Sequence, residues 1–362
     1  MNRFRSIATA IALVTPVAAL ALASPASAQG NEHDTAAEVF TESNSAAGNE
    51  VIAYSNVDGA LGEVGRYSTG GAGSGSGLGS QGAIALSEHG LLAVNAGSDQ
   101  LSLFTVRDNG ALVLTDVEAT AGSHPISITV QGDVAYVLNG GDQTVTGFRV
   151  RNGQLRMIAG SHQPLPGRGG AEVSFDREGR RLVVTEKATN TIDVLPIRGG
   201  VAGVAVSNAS TGGTPFGFAI DTRNHVVVSN ANGGAPGGAS VSSYRFVGAT
   251  GLEPISAAVA DTQTAACWVA LSSDGRVAFT TNAGSGSISS YTLNRSGEIS
   301  LLQATASMPG AGPVDMSVVA DTLFALSGGS HTITSATIGS DGSLAAGQSV
   351  TVPAGVVGLA AI

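Results

Sequence analysis

The sequence predicts an all-β protein, a seven-bladed β-propeller with four antiparallel strands in each blade. Two observations support this fold class. Short apolar or alternating runs of strand length are separated by Gly, Asn and Asp turns along most of the chain. One pattern of strand, turn and strand also recurs at intervals of about 44 to 52 residues, the length that four short strands and their turns occupy.

The clearest copy of the repeat spans residues 266–304. Four short runs are separated by turns near Asp274, Ala283 and Ser296, and each turn contains a Gly that can adopt a positive φ. This pattern predicts an antiparallel meander. One such sheet cannot bury both of its faces, so it needs neighbouring sheets.

The other copies follow the same order. The paired runs are 82–87 with 91–95, 126–130 with 134–139, 171–175 with 181–186, 216–220 with 225–230, and 314–319 with 323–327. The marker residues at the ends of second strands are Asn44, Asn95, Asn139, Glu186, Asn230, Asn282 and Ser327. Only three strands are visible in the first copy (38–44, 50–55 and 61–67), whereas residues 354–362 form one extra strand that resembles the innermost strands. We therefore expect the C-terminal strand to complete the first blade and close the ring, leaving no open edge.

Composition limits the classes of function. The chain has 362 residues, 43% of them hydrophobic and 12% charged, which is typical of a folded protein with a large core. A formal net charge of −10 argues against a nucleic-acid partner, which requires a basic face. Cys267 is the single cysteine, so no intrachain disulfide can form.

The N-terminus predicts export. Residues 1–28 contain a basic start, an apolar stretch and the cleavage pattern Ala26-Ser27-Ala28, which together are typical of a secretory signal peptide. A membrane anchor is the alternative, but the apolar run is short and contains Pro16. We expect a flexible leader at 29–37, one propeller domain at 38–362, a periplasmic or extracellular location, no integral membrane segment after cleavage, and a monomer.

A Gly/Ser-rich run at 69–80 contains Gly77-x-Gly79-x-x-Gly82, which superficially matches a dinucleotide fingerprint. No helix pattern follows, so the match is weak. We interpret the run as a flexible loop between sheets. No cofactor is expected.

Glu186 is the first candidate site residue. In a blade of this kind, inner strands start and second strands end on the same face, around the mouth of the channel. Four other copies have Asn where this one has Glu186, followed by Lys187, the single lysine of the chain. The alternative is an exposed Glu186–Lys187 ion pair that contributes little. We interpret the Asn residues as turn formers rather than metal ligands.

Other candidates lie where inner strands start. His124 could act as a general acid or base, or it could be a loop histidine bonded to backbone. Arg168 could hold a carboxylate or stabilise an oxyanion, and Glu172 lies close to it. The remaining candidates for substrate binding are Gln81, Phe216, Cys267 and Trp268. No activating histidine lies beside Cys267 in the sequence, which favours a buried thiol packed against an aromatic ring.

The segments that carry a family resemblance are 79–83, 124–127, 184–193, 214–218, 263–269 and 312–315. On these segments residues 38–362 resemble the seven-bladed lactonase-type propeller family, which includes carboxymuconate cyclases and relatives of phosphogluconolactonase. The resemblance implies a site at the channel mouth that uses a histidine, a glutamate and arginines, with His124, Glu186 and Arg168 as the catalytic equivalents. Family enzymes are often cytosolic, whereas this chain carries an export signal.

Three functional hypotheses follow. The first is an exported hydrolase or cyclase that acts without a metal on a carboxylated or sugar-type lactone. The second is a non-catalytic scaffold that binds a small ligand or a protein through Phe216, Trp268 and the 70–80 loop. The third is a calcium-dependent site, similar to a gluconolactonase, that uses the Asn residues and Glu186.

Overall fold

The computed structural model describes residues 39–57 and 60–362. The predicted signal peptide and leader lie outside the described residues. The described chain forms seven antiparallel sheets, which we number as blades 1 to 7 along the chain. The predicted fold class, a seven-bladed propeller, is confirmed.

The first four blades follow one another from the N-terminus. Blade 1 contains β1 (Val39–Glu42), β2 (Glu50–Val57) and β3 (Ala60–Ser68), and blade 2 contains β4 (Ile84–Ser87), β5 (Gly90–Asn95), β6 (Gln100–Val106) and β7 (Leu112–Ala119). Blade 3 contains β8 (Pro125–Gln131), β9 (Val134–Asn139), β10 (Thr144–Arg151), β11 (Gln154–Met157) and β12 (Gln163–Pro164). Blade 4 contains β13 (Gly170–Phe175), β14 (Arg181–Glu186), β15 (Thr191–Arg198), β16 (Val201–Ala202) and β17 (Val206–Ala209). In blades 3 and 4 the fourth strand is split into two short segments that pair with the same third strand.

The last three blades have unbroken strands. Blade 5 contains β18 (Pro215–Ile220), β19 (His225–Asn230), β20 (Ser240–Val247) and β21 (Gly251–Ala260), with a short 3₁₀ helix at Asn232–Gly234. Blade 6 contains β22 (Ala266–Leu271), β23 (Val277–Asn282), β24 (Ser287–Leu293) and β25 (Ile299–Ser307). Blade 7 contains β26 (Pro313–Val319), β27 (Thr322–Ser327), β28 (Thr332–Ile338) and β29 (Leu344–Thr351), and β30 (Val357–Ala361) ends the described chain.

The two ends of the chain meet in blade 1. Its strand order is β3-β2-β1-β30, so the C-terminal strand is the innermost strand of the first blade. The Thr41 hydroxyl adds hydrogen bonds to the carbonyls of Val357 (3.0 Å) and Gly358 (2.7 Å). The predicted closure of the ring by the C-terminal strand is confirmed.

The structure corrects the predicted end of the second strand of blade 1, which the repeat pattern places at Asn44. Strand β1 ends at Glu42, and Asn44 lies beyond it with φ 47°. The Asn44 side chain instead holds the Gly/Ser-rich loop, because its Oδ1 accepts the backbone N–H of Ser74 (2.7 Å). Glu42 therefore ends the second strand of blade 1, as Glu186 ends that of blade 4.

Apolar side chains from adjacent blades interleave to form the core. Leu92 and Val94 of blade 2 pack with Ala135 and Val137 of blade 3, and all four are buried. Large side chains such as Phe148 fill the space between the sheets. Each such side chain contributes about 1.5–3 kcal/mol on burial, so the seams between blades stabilise a chain that has no disulfide.

Around the channel, inner strands are linked through side chains. A side chain on one inner strand accepts a backbone N–H from the inner strand of the next blade. The pairs are Ser127 with Val173 (3.1 Å), Glu172 with Phe218 (2.6 Å) and Asp315 with Leu359 (3.1 Å). These bonds satisfy N–H groups that would otherwise be buried without a partner.

Blade 5 lacks such a side chain, because Gly217 occupies the corresponding place. Gln81 replaces it: its Oε1 accepts the Val269 N–H (3.1 Å) and its Nε2 donates to the Val269 carbonyl (2.9 Å). A Cβ at position 217 would lie 2.3 Å from Gln81 Oε1. The glycine is therefore required where the Gln81 side chain passes.

Residues 78–82, which we call the plug segment, contact several blades at once. The Ser80 hydroxyl donates to the Ile126 carbonyl (2.7 Å) and the Gln81 N–H donates to the Ala171 carbonyl (3.0 Å), so blades 3, 4 and 6 are all bonded to this segment. Only a segment at the channel mouth can reach all three. The predicted loop between sheets is therefore corrected: its last residues are packed across the mouth, because inner-strand groups there need partners.

Removing the closing strand should abolish cooperative folding. A chain that ends at Val356 loses the β1–β30 pairing and leaves Asp315 without the Leu359 N–H. We expect a broad, low-temperature thermal transition by circular dichroism. Deletion of Ile362 alone, which is half exposed, should leave the transition intact; a truncated chain that melts like the full chain would contradict this role of β30.

Gln81→Ala should lower stability by about 1–3 kcal/mol, because both backbone groups of Val269 lose their partners. The measurement is urea unfolding of the mature protein at pH 7. Gln154→Ala, at an exposed strand on the rim, is the matched control and should cost little. Equal losses in the two variants would show that the plug segment does not contribute in this way.

Candidate active site at the channel mouth

Lys187, Phe216 and Trp268, which we call the mouth cluster, surround the plug segment. The Lys187 ammonium donates to the Gly79 carbonyl and lies 4.5 Å from the centre of the Phe216 ring. The Phe216 and Trp268 rings are 5.1 Å apart at 58°, and Trp268 Nε1 donates to the Ser80 carbonyl (2.9 Å). Three of the predicted substrate-binding residues, Gln81, Phe216 and Trp268, are therefore brought together. Lys187, which sequence reasoning leaves without a role in substrate binding, lies among them.

Cys267 directly precedes Trp268 on β22. Its thiol is buried and its Sγ donates to the Ala265 carbonyl (3.2 Å). Burial raises the pKa of Cys267 to about 12, so the thiol is un-ionised at neutral pH. The structure confirms that the thiol is buried.

The Asn residues at second-strand ends form a recurrent hydrogen bond. Each side-chain amide donates to a Ser or Thr hydroxyl on the third strand of its own blade. The pairs are Asn95–Ser102 (2.7 Å), Asn139–Thr146 (3.1 Å), Asn230–Ser242 (2.9 Å) and Asn282–Ser289 (2.8 Å). The interpretation of these residues as turn formers is therefore corrected, since each one links two strands.

Blade 4 has carboxyl groups at both of these positions. Glu186 pairs with Thr191 in the strand register, and Asp193 follows two residues later, where blades 2, 3, 5 and 6 have the accepting hydroxyl. Sequence reasoning missed Asp193. The signal that could have identified it is its spacing of seven residues from Glu186, the spacing that also separates Asn95 from Ser102.

The two carboxyl groups lie in a buried environment. Glu186 is fully buried and neither of its oxygens has a hydrogen-bond partner, whereas Asp193 accepts the Ser207 hydroxyl (2.5 Å) and the Gly167 N–H (3.3 Å). Burial, reinforced by the charge of Asp193, raises the pKa of Glu186 to about 8, and burial also raises the pKa of Asp193. Glu186 is therefore mostly protonated at neutral pH.

A glycine covers Glu186 from the side of the loops. The same contact recurs in other blades, where a Cβ on the glycine would lie within about 2.5 Å of the side chain it covers. The pairs are Gly71 on Asn95, Gly122 on Asn139, Gly167 on Glu186 and Gly212 on Asn230. The alternative of an exposed Glu186–Lys187 ion pair is wrong, because Glu186 is fully buried and the Lys187 ammonium donates to the Gly79 carbonyl.

His124 lies at the seam between blades 2 and 3, on the face where inner strands start. Its backbone N–H donates to Asp99 Oδ1 (2.7 Å) and its Nδ1 lies 3.2 Å from the Ala96 carbonyl. Because a carbonyl only accepts, Nδ1 carries the hydrogen, and Nε2 of a neutral ring is left as a proton acceptor. Its φ of 53° is shared by Thr214 (55°) and Ala265 (59°) at the same repeat position, so this conformation belongs to the fold.

Arg168 occupies an exposed loop on the same face. Its N–H donates to the Thr189 hydroxyl (3.1 Å) and its carbonyl accepts the Ala188 N–H (3.0 Å). Within residues 39–57 and 60–362, no hydrogen bond or ion pair joins the side chains of Arg168, His124 and Glu186. The predicted catalytic residues share a face, and their joint action stays a prediction.

Glu172 and Asp315 line the channel and link blades through the bonds described above. Burial raises the pKa of Glu172 well above its usual range and raises that of Asp315 to about 7. Glu172 therefore has a structural partner, the Phe218 N–H. Among the described residues, no group of three or more His, Cys, Asp and Glu side chains is placed to hold a metal ion.

The chain is thus a seven-bladed propeller in which the plug segment and the mouth cluster lie where inner strands start. Residues 39–159 match the family model described as Lactonase, 7-bladed beta-propeller. The resemblance drawn from the sequence is confirmed by this match. No curated protein matches the chain.

Solved structures share the whole architecture at low sequence identity. A proposed 6-phosphogluconolactonase from Bacteroides uniformis superposes with a TM-score of 0.71 and 16% identity, covering 90% of this chain and 99% of its own. The periplasmic gluconolactonase of Pseudomonas aeruginosa gives a TM-score of 0.69 and 16% identity, with coverage of 90% and 98%. At this identity the likeness establishes the fold. In the part of the chain that the structure describes, no helix has the length and apolar character needed to cross a membrane.

Glu186→Gln should remove a pH-dependent loss of stability. Below pH 4.5 the carboxyl is neutral in the folded and unfolded chain; as the pH rises to about 8, only the unfolded chain ionises, so folding stability falls. The variant should gain on the order of 3 kcal/mol over the wild type at pH 8 and almost nothing at pH 4.5. Urea unfolding across this pH range measures the difference.

Glu118→Gln, at an exposed position on β7, serves as the control and should follow the wild-type curve. Parallel pH curves for the wild type and Glu186→Gln would contradict the protonated state assigned to Glu186.

Proposed function

We propose that this chain is a lactonase-type propeller that acts on a small-molecule lactone at the channel mouth. The observation that carries the proposal is the placement of the Lys187 ammonium at the mouth, between Gly79 and the Phe216 ring. The match of residues 39–159 to the lactonase propeller family supports the same activity.

Lactone hydrolysis requires stabilisation of negative charge on the carbonyl oxygen. Water adds to the acyl carbon, the ring C–O bond breaks, and the ring oxygen leaves as a hydroxyl group after it receives a proton. A fixed cation or N–H donor next to the carbonyl oxygen lowers the barrier to the first step. We assign this role to Lys187, which uses one of its three N–H donors on Gly79 and can direct another to a substrate.

Proton transfer requires a base that can also return the proton. His124 is our candidate, because the contact of Nδ1 with Ala96 leaves Nε2 as the acceptor. Glu186 immediately precedes Lys187 and is buried and mostly protonated at neutral pH, so it leaves the positive charge of the ammonium group uncompensated. Arg168, exposed on the same face, is the candidate for binding a substrate carboxylate. Carboxylated and sugar-type lactones are the substrates expected from the sequence.

The place of action is proposed from the N-terminal 28 residues, whose pattern is that of a signal peptide. We infer that the propeller acts in the periplasm or outside the cell. The Pseudomonas gluconolactonase with a similar fold is periplasmic by name.

A non-catalytic binding propeller is the second candidate. The plug segment fills the mouth and Gly167 covers Glu186, so the mouth is closed more tightly than an open active site requires. A ligand-binding protein would use the same mouth cluster and show stoichiometric binding without turnover.

Lys187→Met should lower kcat/KM for lactone hydrolysis by about 10²–10³-fold, because the cation at the carbonyl oxygen is lost while the apolar contact with Phe216 is kept. His124→Gln should lower kcat as well, and a chelator should leave the wild-type rate unchanged. The assay is the hydrolysis of a panel of simple lactones by the purified mature protein. Arg276→Met, an exposed cation on blade 6, is the control; an unchanged rate in Lys187→Met would exclude its assigned role.

A further inference from the structure

A cavity of about 420 Å³ lies beside the plug segment. It is bounded by blades 6, 7 and 1 together with residues 77–80. The other lining residues are Trp268, Val314, Gly328 and residues 355–358. A volume of this size is typical of sites for small molecules.

The wall of this cavity is apolar and carries no charged residue. Its aliphatic parts come from Leu78, Val314 and the valines at 356 and 357. The polar side chains in the wall already have partners: Trp268 Nε1 donates to the Ser80 carbonyl, and the Ser80 hydroxyl donates to the Ile126 carbonyl. A ligand rich in hydroxyl groups or a phosphate would therefore lose its water without gaining a side-chain partner here.

Gly79 connects this cavity to the mouth cluster. It lines the cavity, and its carbonyl accepts the Lys187 ammonium. Lys187 thus lies at the edge of the cavity, where a ligand with its apolar part inside could direct a polar group past Gly79 toward the ammonium. Trp268 also lines the cavity, and its ring contacts Phe216, which in turn contacts the Lys187 ammonium.

We propose, on the basis of the function proposed above, that the substrate is a lactone with an alkyl or aryl substituent. The substituent occupies the cavity and the lactone carbonyl faces Lys187. Hydroxylated and phosphorylated sugar lactones are disfavoured, since the cavity wall has no charged side chain and its polar side chains are already paired. Each CH₂ group buried in the cavity should strengthen binding about fourfold.

Trp268 gives a direct readout, because it is the single tryptophan of the chain and lines the cavity. The mature protein is titrated with δ-decalactone, δ-valerolactone and glucono-δ-lactone while tryptophan emission and hydrolysis are recorded. A fourth probe, 2-pentyltetrahydropyran, has the pentyl substituent of δ-decalactone but no carbonyl, so its binding is independent of turnover. We expect δ-decalactone to have a kcat/KM at least about 100-fold above that of δ-valerolactone, and glucono-δ-lactone to leave the emission unchanged.

Val314→Phe, which narrows the cavity, should abolish the advantage of the pentyl substituent, measured as the ratio of kcat/KM for δ-decalactone to that for δ-valerolactone. Val113→Phe on the exposed strand β7 is the matched control and should behave like the wild type. If glucono-δ-lactone is the better substrate, or if Val314→Phe keeps the full dependence on the substituent, the substrate class is wrong while lactonase activity stands. If no lactone is hydrolysed but 2-pentyltetrahydropyran still quenches Trp268 in a way that Val314→Phe removes, the proposed function fails and only the apolar preference of the cavity stands.

Discussion

The structure depends on one constraint at the centre of the ring. Inner strands of adjacent blades converge around the channel without forming a continuous ladder, so their N–H groups need acceptors from elsewhere. Ser127, Glu172 and Asp315 supply them from the preceding blade. Where blade 5 has Gly217, the plug segment inserts Gln81 instead, and this single substitution fixes a loop across the mouth.

The position of the plug segment determines what the mouth can do. Its carbonyls at Gly79 and Ser80 accept hydrogen bonds from Lys187 and Trp268, so a cation and an apolar cavity lie beside the same segment. The bonds that close the ring also bury carboxyl groups, and burial raises the pKa of Glu172 and Asp315. The residues that stabilise the ring are therefore also the ones whose raised pKa values determine the charge inside the channel.

The sequence predicts the blades because their signals are local. Alternating runs, turn glycines and the repeat interval define each strand pair, and the extra strand at the C-terminus predicts the closure. The plug segment has no such signal: residues 78–82 show no periodicity, and Gln81 bonds to Val269, 188 residues away. The contact of Gly167 with Glu186 could not be predicted for the same reason, since the sequence does not show which residue a loop glycine packs against.

Glu186 is predicted to be a site residue because it departs from the Asn of its repeat, and the structure refines that argument. Glu42 also ends a second strand with a buried carboxyl, but Asn49 donates to it (3.2 Å), so an acid at this place can be purely structural. Blade 4 differs in having a second carboxyl, Asp193, where blades 2, 3, 5 and 6 provide a hydroxyl and blade 1 provides the Asn49 amide, and in having Lys187 next in sequence. In blade 4, two carboxyl groups thus replace the amide–hydroxyl pair next to a cation at the mouth. This double change from the repeat pattern is what indicates a functional site.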